Sequence, residues 1–432
     1  MDTSKFQAGD EVRLRLAQEE LDGIVLESPD SSIILLKLES GYNIGISKEN
    51  ILAGRIIKKY SPESKENTES KPSINGNPGL PSLGLIITGG TIASKLDSKM
   101  GGVKHIISID EFSKFYPEIF KMVNIKSIEL PFMVASESMS SEHWIKIAET
   151  AKKMLDDPDI KGIVITHGTD FLSYTSAALS FFFPKLSKPI VLTYSQRSVD
   201  RASSDAHLNL QCAARMALDN AGEVMLVGHS SINDDFCFAL KGTKVRKMHS
   251  SRRDAFQPIN TLPIAKVWPD KVEYLSSYNP RSSGKSEIDT SYSDKIALVK
   301  FYPGQSPDIL DFYALKYKGI IVEASGLGHL PVSETSHNWI PAIKKHIRNG
   351  FIICAAAQTI YGRLDPLVYS NGRELLDAGV IFLEDMLPET ALVKLGFVLG
   401  HFGWKKNIKE KMLENLAGEL NPKLSFSVQK FS

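Results

Sequence analysis

Two short motifs rich in threonine and glycine contain side chains that could do chemistry. The first, Thr88-Gly89-Gly90-Thr91-Ile92-Ala93-Ser94, directly follows the apolar run Leu85-Ile86-Ile87. Glycines let a chain turn sharply and let a bound molecule approach backbone N–H groups. The hydroxyl of Thr91 could then attack a carbonyl carbon whose oxygen those N–H groups stabilise. Taken alone, the motif is equally compatible with a glycine turn that has only a structural role.

The second motif is Ile165-Thr166-His167-Gly168-Thr169-Asp170, which places a hydroxyl beside a carboxylate on another glycine turn. A threonine or aspartate in this position could simply cap a following helix. Two Gly-Thr pairs, each at the end of an apolar run, fit a shared crevice better than capping alone. The two motifs together therefore predict a site that uses hydroxyl groups.

Lys247 is the third candidate, and it belongs to a basic run over residues 241–253. The simplest interpretation of such a run is a solvated, mobile loop. A Lys247 that lay beside Thr169 and Asp170 would instead complete a hydroxyl–amine–carboxylate set, similar in roles to Ser–His–Asp. In such a set the lysine either accepts the hydroxyl proton or, as a cation, shares that proton or orients Thr169.

The elements that must position these residues alternate between strands and helices. Uninterrupted apolar runs indicate buried strands, and segments with helical patterns lie between them. This alternation predicts an α/β fold with a doubly wound parallel sheet, which binds ligands beyond the carboxyl ends of its strands. The predicted strands are Leu85–Ile87, Ile163–Ile165, Val224–Val227, Ile320–Val322 and Ile352–Cys354. The predicted helices are Ser141–Leu155, Ser176–Phe183, Asn209–Leu218, Ser336–Arg348 and Glu389–Leu399.

Changes in composition divide the chain into five parts. Residues 1–60 contain closely spaced alternating segments, which predict a small, SH3-like β-barrel domain. Residues 61–80 are rich in serine, proline and charged residues, which is typical of a linker. We expect a two-domain body beyond it, with the catalytic threonines in residues 81–277, a second polar linker at 278–290 and a final domain over 291–432.

Composition excludes several classes of protein. Among 432 residues, the longest apolar candidate, Ala177–Phe183, is far shorter than the ~20 residues that a membrane helix needs. Three widely spaced cysteines favour a reducing compartment over a disulfide framework. The sequence contains no CxxC pair and no HExxH, so we predict no metal site. The net charge of +1 means that any contact with nucleic acid would need a local basic patch.

The two motifs resemble the signature motifs of bacterial-type L-asparaginases. The resemblance covers about residues 82–432, including Tyr361-Gly362-Arg363 and the segment from Asp385 to Leu395. It implies an asparaginase-like two-domain body that follows the small β-barrel. It also implies a primary nucleophile at Thr91 and further catalytic roles for Thr169, Asp170 and Lys247. The implied substrate-binding residues are Gly90, Ser136, Glu137 and Gly168.

Other features depart from plain asparaginases. The stretch corresponding to their flexible lid, Ser94–Val103, contains no tyrosine, which leaves open the group that activates Thr91. The chain also has the N-terminal segment, Gln196-Arg197-Ser198, Ser203-Ser204-Asp205 and the sequence from Lys247 to Phe256. With these features it is similar to the family of D subunits of the archaeal glutamyl-tRNA(Gln) amidotransferases.

That resemblance implies a glutaminase subunit. It would hydrolyse the side-chain amide of glutamine (or asparagine) and pass ammonia to a kinase/transferase partner, the E subunit, which amidates Glu-tRNA(Gln) with ATP. The resemblance implies no cofactor in this chain and ATP with Mg²⁺ in the partner, and the absence of a P-loop from this sequence is consistent with a kinase step elsewhere. A cytoplasmic α2β2 heterotetramer built on a homodimer core, without membrane contact, is also expected.

Two other functions stay open from the sequence. The first is a stand-alone L-asparaginase with an accessory N-terminal domain, which would hydrolyse asparagine rapidly without a partner. The second is a non-catalytic tRNA-binding or scaffold protein. It is disfavoured because all four implied catalytic positions, Thr91, Thr169, Asp170 and Lys247, are filled.

Overall fold

The computed structural model describes residues 6–28, 30–38, 43–60, 79–96, 103–105, 109–201, 203–332 and 337–424. Most of the predicted linker 61–80 and part of the predicted lid stretch Ser94–Val103 therefore lie outside the described residues. Both threonine–glycine motifs and Lys247 lie inside them.

The N-terminal segment forms a five-stranded antiparallel sheet in the order β4-β3-β2-β1-β5. Val12, Leu14 and Leu36 are buried in its small core, while Arg13 and Asp22 pair on the surface. The antiparallel strands expected here are confirmed, and closure into an SH3-like barrel stays a prediction. The strands are β1 (Glu11–Arg15), β2 (Glu20–Leu26), β3 (Ile33–Leu38), β4 (Asn43–Ser47) and β5 (Ala53–Lys58).

The first half of the body is built on an eight-stranded sheet in the order β17-β16-β13-β12-β11-β10-β6-β9. The five strands from β12 to β9 are parallel, as the uninterrupted apolar runs predict. The other three strands extend the sheet in antiparallel fashion. The strands are β6 (Ser82–Ile87), β9 (Asn124–Glu129), β10 (Ile160–Thr166), β11 (Ile190–Thr193), β12 (Val224–His229), β13 (Cys237–Lys241), β16 (Ala265–Val267) and β17 (Val272–Tyr274).

Helices cover both faces of this sheet, and two short hairpins lie beside it. Their apolar side chains form two cores, one on each face of the sheet. The helices are α1 (Ile109–Phe115), α2 (Pro117–Met122), α3 (Ser141–Leu155), α4 (Leu172–Phe182) and α5 (Ala206–Ala217). The hairpins are β7 (Ser94–Leu96) with β8 (Val103–His105), and β14 (Val245–Lys247) with β15 (Phe256–Pro258).

The second half has a four-stranded parallel sheet in the order β18-β19-β20-β21. Helix α9 packs against α4 of the first half, where the rings of Phe181 and Phe397 stack with centroids 6.0 Å apart. The strands are β18 (Ile296–Lys300), β19 (Gly319–Ala324), β20 (Ile352–Ala357) and β21 (Ile381–Phe382). The helices are α6 (Ile309–Lys316), α7 (Ile340–Arg348), α8 (Ser370–Asp377), α9 (Pro388–Gly400) and α10 (Ile408–Leu413).

The segment 278–290, predicted to be a linker, runs along the surface of the first half. The backbone N–H of Ser282 donates to Leu186 O at 2.9 Å, and that of Asp289 donates to Phe182 O at 2.8 Å. The segment therefore connects the two sheets while it is bonded to the first half. The exact domain boundaries at 277 and 291 stay predictions.

Candidate active site

The first motif forms a tight turn directly after β6. The Thr88 hydroxyl donates to Thr166 O at 2.8 Å, so the ends of the neighbouring strands β6 and β10 are joined. Gly89 and Gly90 have φ values of 123° and 82°, which side chains other than glycine rarely adopt. Thr91 then begins a 3₁₀ turn over Thr91–Ala93.

Two side-chain hydroxyls anchor this 3₁₀ turn by donating to its backbone carbonyl oxygens. The Ser94 hydroxyl donates to Gly90 O at 2.8 Å, and the buried Tyr116 hydroxyl donates to Ile92 O at 2.6 Å. Ile92 is fully buried, whereas Thr91 is half-buried and its hydroxyl makes no hydrogen bond to any described residue. The backbone of Thr91 is thus fixed, while its hydroxyl remains available to interact with a substrate. Sequence reasoning missed Tyr116, which carries no local motif.

The two predicted motifs meet at their glycines. A Cβ atom on Gly90 would lie 2.5 Å from the Gly168 nitrogen and 2.6 Å from the His167 carbonyl oxygen. Such distances are far inside van der Waals contact, so only glycine allows the turns to approach each other this closely. The parallel pairing of β6 with β10 makes this approach possible, because it brings both strands' carboxyl ends to one edge.

Lys247 lies where the sequence hypothesis requires it. Its Nζ donates to Thr169 Oγ1 at 2.9 Å and to an Asp170 carboxylate oxygen at 2.7 Å. The Lys247 side chain is only 12% exposed, whereas that of Asp170 is 63% exposed and faces the open crevice. Strand β14 holds the lysine, because Lys247 pairs with Phe256 of β15. The structure therefore brings three predicted catalytic residues into direct contact.

Ser136 joins the same crevice from a third loop. A Cβ atom on Gly168 would lie 3.1 Å from Ser136 Oγ, and the backbone N–H of Phe171 donates to that oxygen at 3.4 Å. Ser136 begins a 3₁₀ turn over Ser136–Ser138, and the next residue, Glu137, is exposed. The predicted binding residues Gly90, Gly168 and Ser136 are therefore adjacent, with Glu137 on the rim.

His167 was part of the second motif, but the sequence assigned it no role. It is fully buried, and this burial lowers its pKa to about 4, so the ring is neutral near pH 7. Its Nδ1 lies 2.7 Å from Gly168 O, which can only accept, so Nδ1 carries the proton. Its Nε2 then accepts from the Thr175 hydroxyl at 2.9 Å. The ring thus fixes the turn that presents Thr169 and Asp170.

The basic run 241–253 is not the solvated, mobile loop that its composition suggests. Each of its six basic side chains lies within 4 Å of a carboxylate, so that interpretation is wrong. Three of the carboxylates come from segments more than 70 residues away in the sequence, which is why composition could not reveal them. The pairs are Lys241–Glu223, Lys244–Asp385, Arg246–Glu389, Lys247–Asp170, Arg252–Asp254 and Arg253–Asp234.

A cavity of about 760 Å³ lies elsewhere, between α6, α7, α9 and α10 in the second half. Apolar side chains such as Leu315, Phe351 and Val398 line it together with charged and polar ones, and none of the candidate site residues does. We assign the site to the crevice at the two motifs because the reactive groups converge there. In the described ranges no group of three or more His, Cys, Asp or Glu side chains could hold a metal ion.

Comparison with known families identifies three matching regions of the chain. Residues 82–279 match the family "Asparaginase, N-terminal", and residues 295–412 match "Glutaminase/Asparaginase C-terminal domain". Residues 6–56 match "GatD N-terminal domain".

Curated relatives are similar over nearly the whole chain. The D subunit of glutamyl-tRNA(Gln) amidotransferase from Thermococcus kodakarensis is 47% identical, covering 94% of this chain and 91% of the relative. That of Pyrococcus furiosus is 46% identical, covering 96% and 95%. The chain belongs to the GatD family, the D subunits of glutamyl-tRNA(Gln) amidotransferases.

Solved structures show the asparaginase part of this GatD fold. The thermostable L-asparaginase from Thermococcus kodakarensis has a TM-score of 0.70 and 31% identity, and covers 79% of this chain and 100% of that chain. L-asparaginase I from Vibrio cholerae has a TM-score of 0.66 and 26% identity, and covers 79% and 99%. The predicted asparaginase-like α/β body and membership of the GatD family are thus confirmed. In the part of this GatD chain that is described, no helix has the length and apolarity to cross a membrane.

Proposed function

We propose that this chain is the glutaminase subunit of a tRNA-dependent amidotransferase, with Thr91 as nucleophile and Thr169, Asp170 and Lys247 as its catalytic partners. The observation that carries the proposal is the contact of Lys247 Nζ with both Thr169 and Asp170, beside a turn that presents Thr91. Family membership supports it, because the relatives are named as subunits of an amidotransferase.

In the proposed reaction the Thr91 hydroxyl oxygen attacks the side-chain amide carbon of glutamine. Backbone N–H groups at the glycine turns stabilise the oxyanion, and one such donor is typically worth about 3 kcal/mol. The hydroxyl proton moves to the amide nitrogen, which leaves as ammonia. Water then hydrolyses the acyl-enzyme ester, which releases glutamate and restores Thr91.

The contacts of Lys247 suggest how the hydroxyl group of Thr169 is oriented. Lys247 Nζ donates to Thr169 Oγ1, so the hydroxyl proton of Thr169 is free to point toward the reacting atoms. Asp170 accepts from the same Nζ and keeps it in place. In this arrangement Lys247 orients Thr169, which is one of the two roles that the sequence left open.

The rim of the crevice suits an amino acid. Glu137 and Asp170 are exposed carboxylates that can bind the substrate's α-ammonium group, and the Ser136 hydroxyl can bind its α-carboxylate. The preference for glutamine over asparagine is part of the proposal rather than a consequence of these contacts.

We also propose that this chain acts in a complex with a second subunit. Ammonia passes to a kinase/transferase partner, the E subunit, which uses ATP and Mg²⁺ to convert Glu-tRNA(Gln) to Gln-tRNA(Gln). The expected assembly is a cytoplasmic α2β2 heterotetramer around a homodimer of this chain. The relatives are named as D subunits of an amidotransferase, which supports the existence of a partner.

Thr91→Ala tests the function in the assembled complex. We expect the variant to lose glutamine hydrolysis, measured as ammonia release, while ATP-dependent phosphorylation of Glu-tRNA continues. Thr150→Ala is the matched control, since Thr150 is a surface threonine whose hydroxyl donates only to Lys146 O of its own helix. Ammonia release that persists in Thr91→Ala would show that another group is the nucleophile.

A stand-alone L-asparaginase is the second candidate, favoured by the likeness to L-asparaginase structures over 79% of the chain. The two functions differ in their dependence on a partner. Rapid asparagine hydrolysis by the purified chain alone would support the stand-alone enzyme. Hydrolysis that rises when partner and Glu-tRNA(Gln) are added would support the amidotransferase function.

A further inference from the structure

A buried ion pair joins the strand that carries Lys247 to the second half of the body. Lys244 Nζ donates to the Asp385 carboxylate at 2.6 Å and to Asp385 O at 3.0 Å, and both side chains are almost completely buried. Asn421 completes the arrangement, because its backbone and side-chain N–H groups both donate to the same carboxylate. Buried charges that are paired and hydrogen-bonded in this way fix the relative position of their two segments.

A second ion pair and a hydrogen bond reinforce this connection. Arg246 Nε lies 3.5 Å from a carboxylate oxygen of Glu389, a residue in the first turn of α9. The Thr390 hydroxyl donates to Thr243 O at 3.0 Å. Three of the four residues that lead into Lys247 therefore contact one short segment, residues 385–390.

Side-chain alternation explains why Lys247 itself is free of this segment. Arg246 and Lys247 are consecutive residues of strand β14, so their side chains point to opposite faces. Arg246 meets residues 385–390, as does Lys244 in the bend before the strand, whereas Lys247 meets Thr169 and Asp170.

Helix α9 also packs against the helix that follows the second motif. Helix α4 begins at Leu172, just after Asp170, and the ring of its Phe181 stacks on Phe397 of α9. The helix that follows Asp170 and the strand that carries Lys247 therefore both contact α9.

We propose that residues 385–389 position Lys247 for catalysis, with Lys244, Arg246, Asp385 and Glu389 as positioning residues that do not touch the substrate. The inference rests on the proposed function, because it assigns Lys247 a catalytic role. It adds that the second half of the body acts on the site through strand β14. A substrate that contacts only the first half would thus still depend on the second half for its rate of hydrolysis.

Glu389→Gln is the preferred test, since Asp385→Asn removes the more deeply buried charge and can prevent folding. The chain offers a matched control in Glu223→Gln. Both carboxylates are 6% exposed and both lie 3.5 Å from a cation of the same basic run, but Glu223 pairs with Lys241 on β13. Glu389→Asp, which keeps the charge, serves as the conservative variant.

We expect Glu389→Gln to lower kcat for ammonia release by about tenfold or more, because small displacements of a catalytic group have large effects on rate. The KM should change less than kcat, since two of the three proposed substrate contacts, Ser136 and Glu137, lie on another loop and only Asp170 contacts Lys247. Glu223→Gln should keep kcat within about twofold at temperatures where all variants are folded, and Glu389→Asp should recover most of the loss. An equal kcat in Glu389→Gln and Glu223→Gln would overturn the inference.

A crystallographic measurement separates this inference from the proposed function. In Glu389→Gln we expect Lys247 Nζ to move beyond 3.5 Å from Thr169 Oγ1, whereas Glu223→Gln should keep the 2.9 Å contact. If the wild-type complex released no ammonia, the proposed function would fail while this distance still tested the positioning. An unchanged 2.9 Å contact in Glu389→Gln would refute the positioning whatever the activity.

Discussion

Gly90→Ala probes the point where the two motifs meet. Gly90 has φ 82° and ψ 172°, a backbone conformation that is essentially restricted to glycine, and placing alanine there costs roughly 1–3 kcal/mol. Its Cβ atom would also lie 2.5 Å from the Gly168 nitrogen, about 1 Å inside ordinary van der Waals contact. The atom in the way belongs to the backbone, so one of the two turns must move.

A displacement of about 1 Å near reacting atoms can lower a rate by about 100-fold. We therefore expect Gly90→Ala to fold, to lose a few degrees in Tm and to release ammonia from glutamine about 100 times more slowly. The measurements are thermal unfolding and the steady-state rate of ammonia release by the complex, at a temperature well below both transitions.

Gly350→Ala is the control that separates backbone strain from the collision. Gly350 also has a positive φ, 85°, in the turn after α7, and its added Cβ atom would meet nothing within 4 Å among the described residues, so this variant carries the cost of a positive φ without a collision. We expect a similar or smaller loss in Tm and no change in rate. Equal rates for Gly90→Ala and the wild type would refute the close approach of the motifs. Equal loss of rate in both glycine variants would show that general destabilisation is the cause.

Two further predictions concern buried titratable groups. The pKa of His167 falls from 6.5 to about 4 on folding, so between these pH values the unfolded chain binds a proton that the native chain does not. The contribution of neutral His167 to the free energy of unfolding is thus fully present above pH 6.5. Up to about 3 kcal/mol of it is lost as the pH falls from 6.5 to 4. Urea unfolding midpoints over this range should show a shallower pH dependence in His167→Gln, and an identical slope would contradict the assignment. Burial raises the pKa of the Cys354 thiol to about 12, so iodoacetamide should label it only after unfolding, as mass spectrometry of native and urea-treated protein can check.

The regular parts of the fold were predictable because their signals are local. The pattern for Ser141–Leu155 matches α3 at both ends, and the run Ile163–Ile165 lies inside β10. The antiparallel strands β13, β16 and β17 escaped prediction because they are short. Only seven residues join β12 to β13, too few for the crossover that a parallel neighbour requires.

The candidate site was predictable to a different degree for each residue. Gly90 and Thr91 belong to a motif whose chemistry can be argued from the residues themselves. Lys247 could be named from the residues only conditionally, since its spacing from Thr169 in the sequence says nothing about distance in the fold, and its catalytic role came from the family resemblance. Tyr116 had no signal at all, because it supports the site through a hydrogen bond to Ile92 O and through packing in the same core, which no local motif announces.

The basic run 241–253 shows why a charge pattern needs the fold before it can be interpreted. Six cations in 13 residues suggested exposure, and they would also suit phosphate groups of RNA. In the structure each cation faces a carboxylate, so most of its field is cancelled locally before it reaches a phosphate. Two of these pairs hold the strand of Lys247, and a third is formed by Lys247 itself. Three of the six cations in this run are therefore accounted for by contacts that hold Lys247 or that Lys247 makes, and the charge pattern by itself does not indicate a phosphate-binding surface.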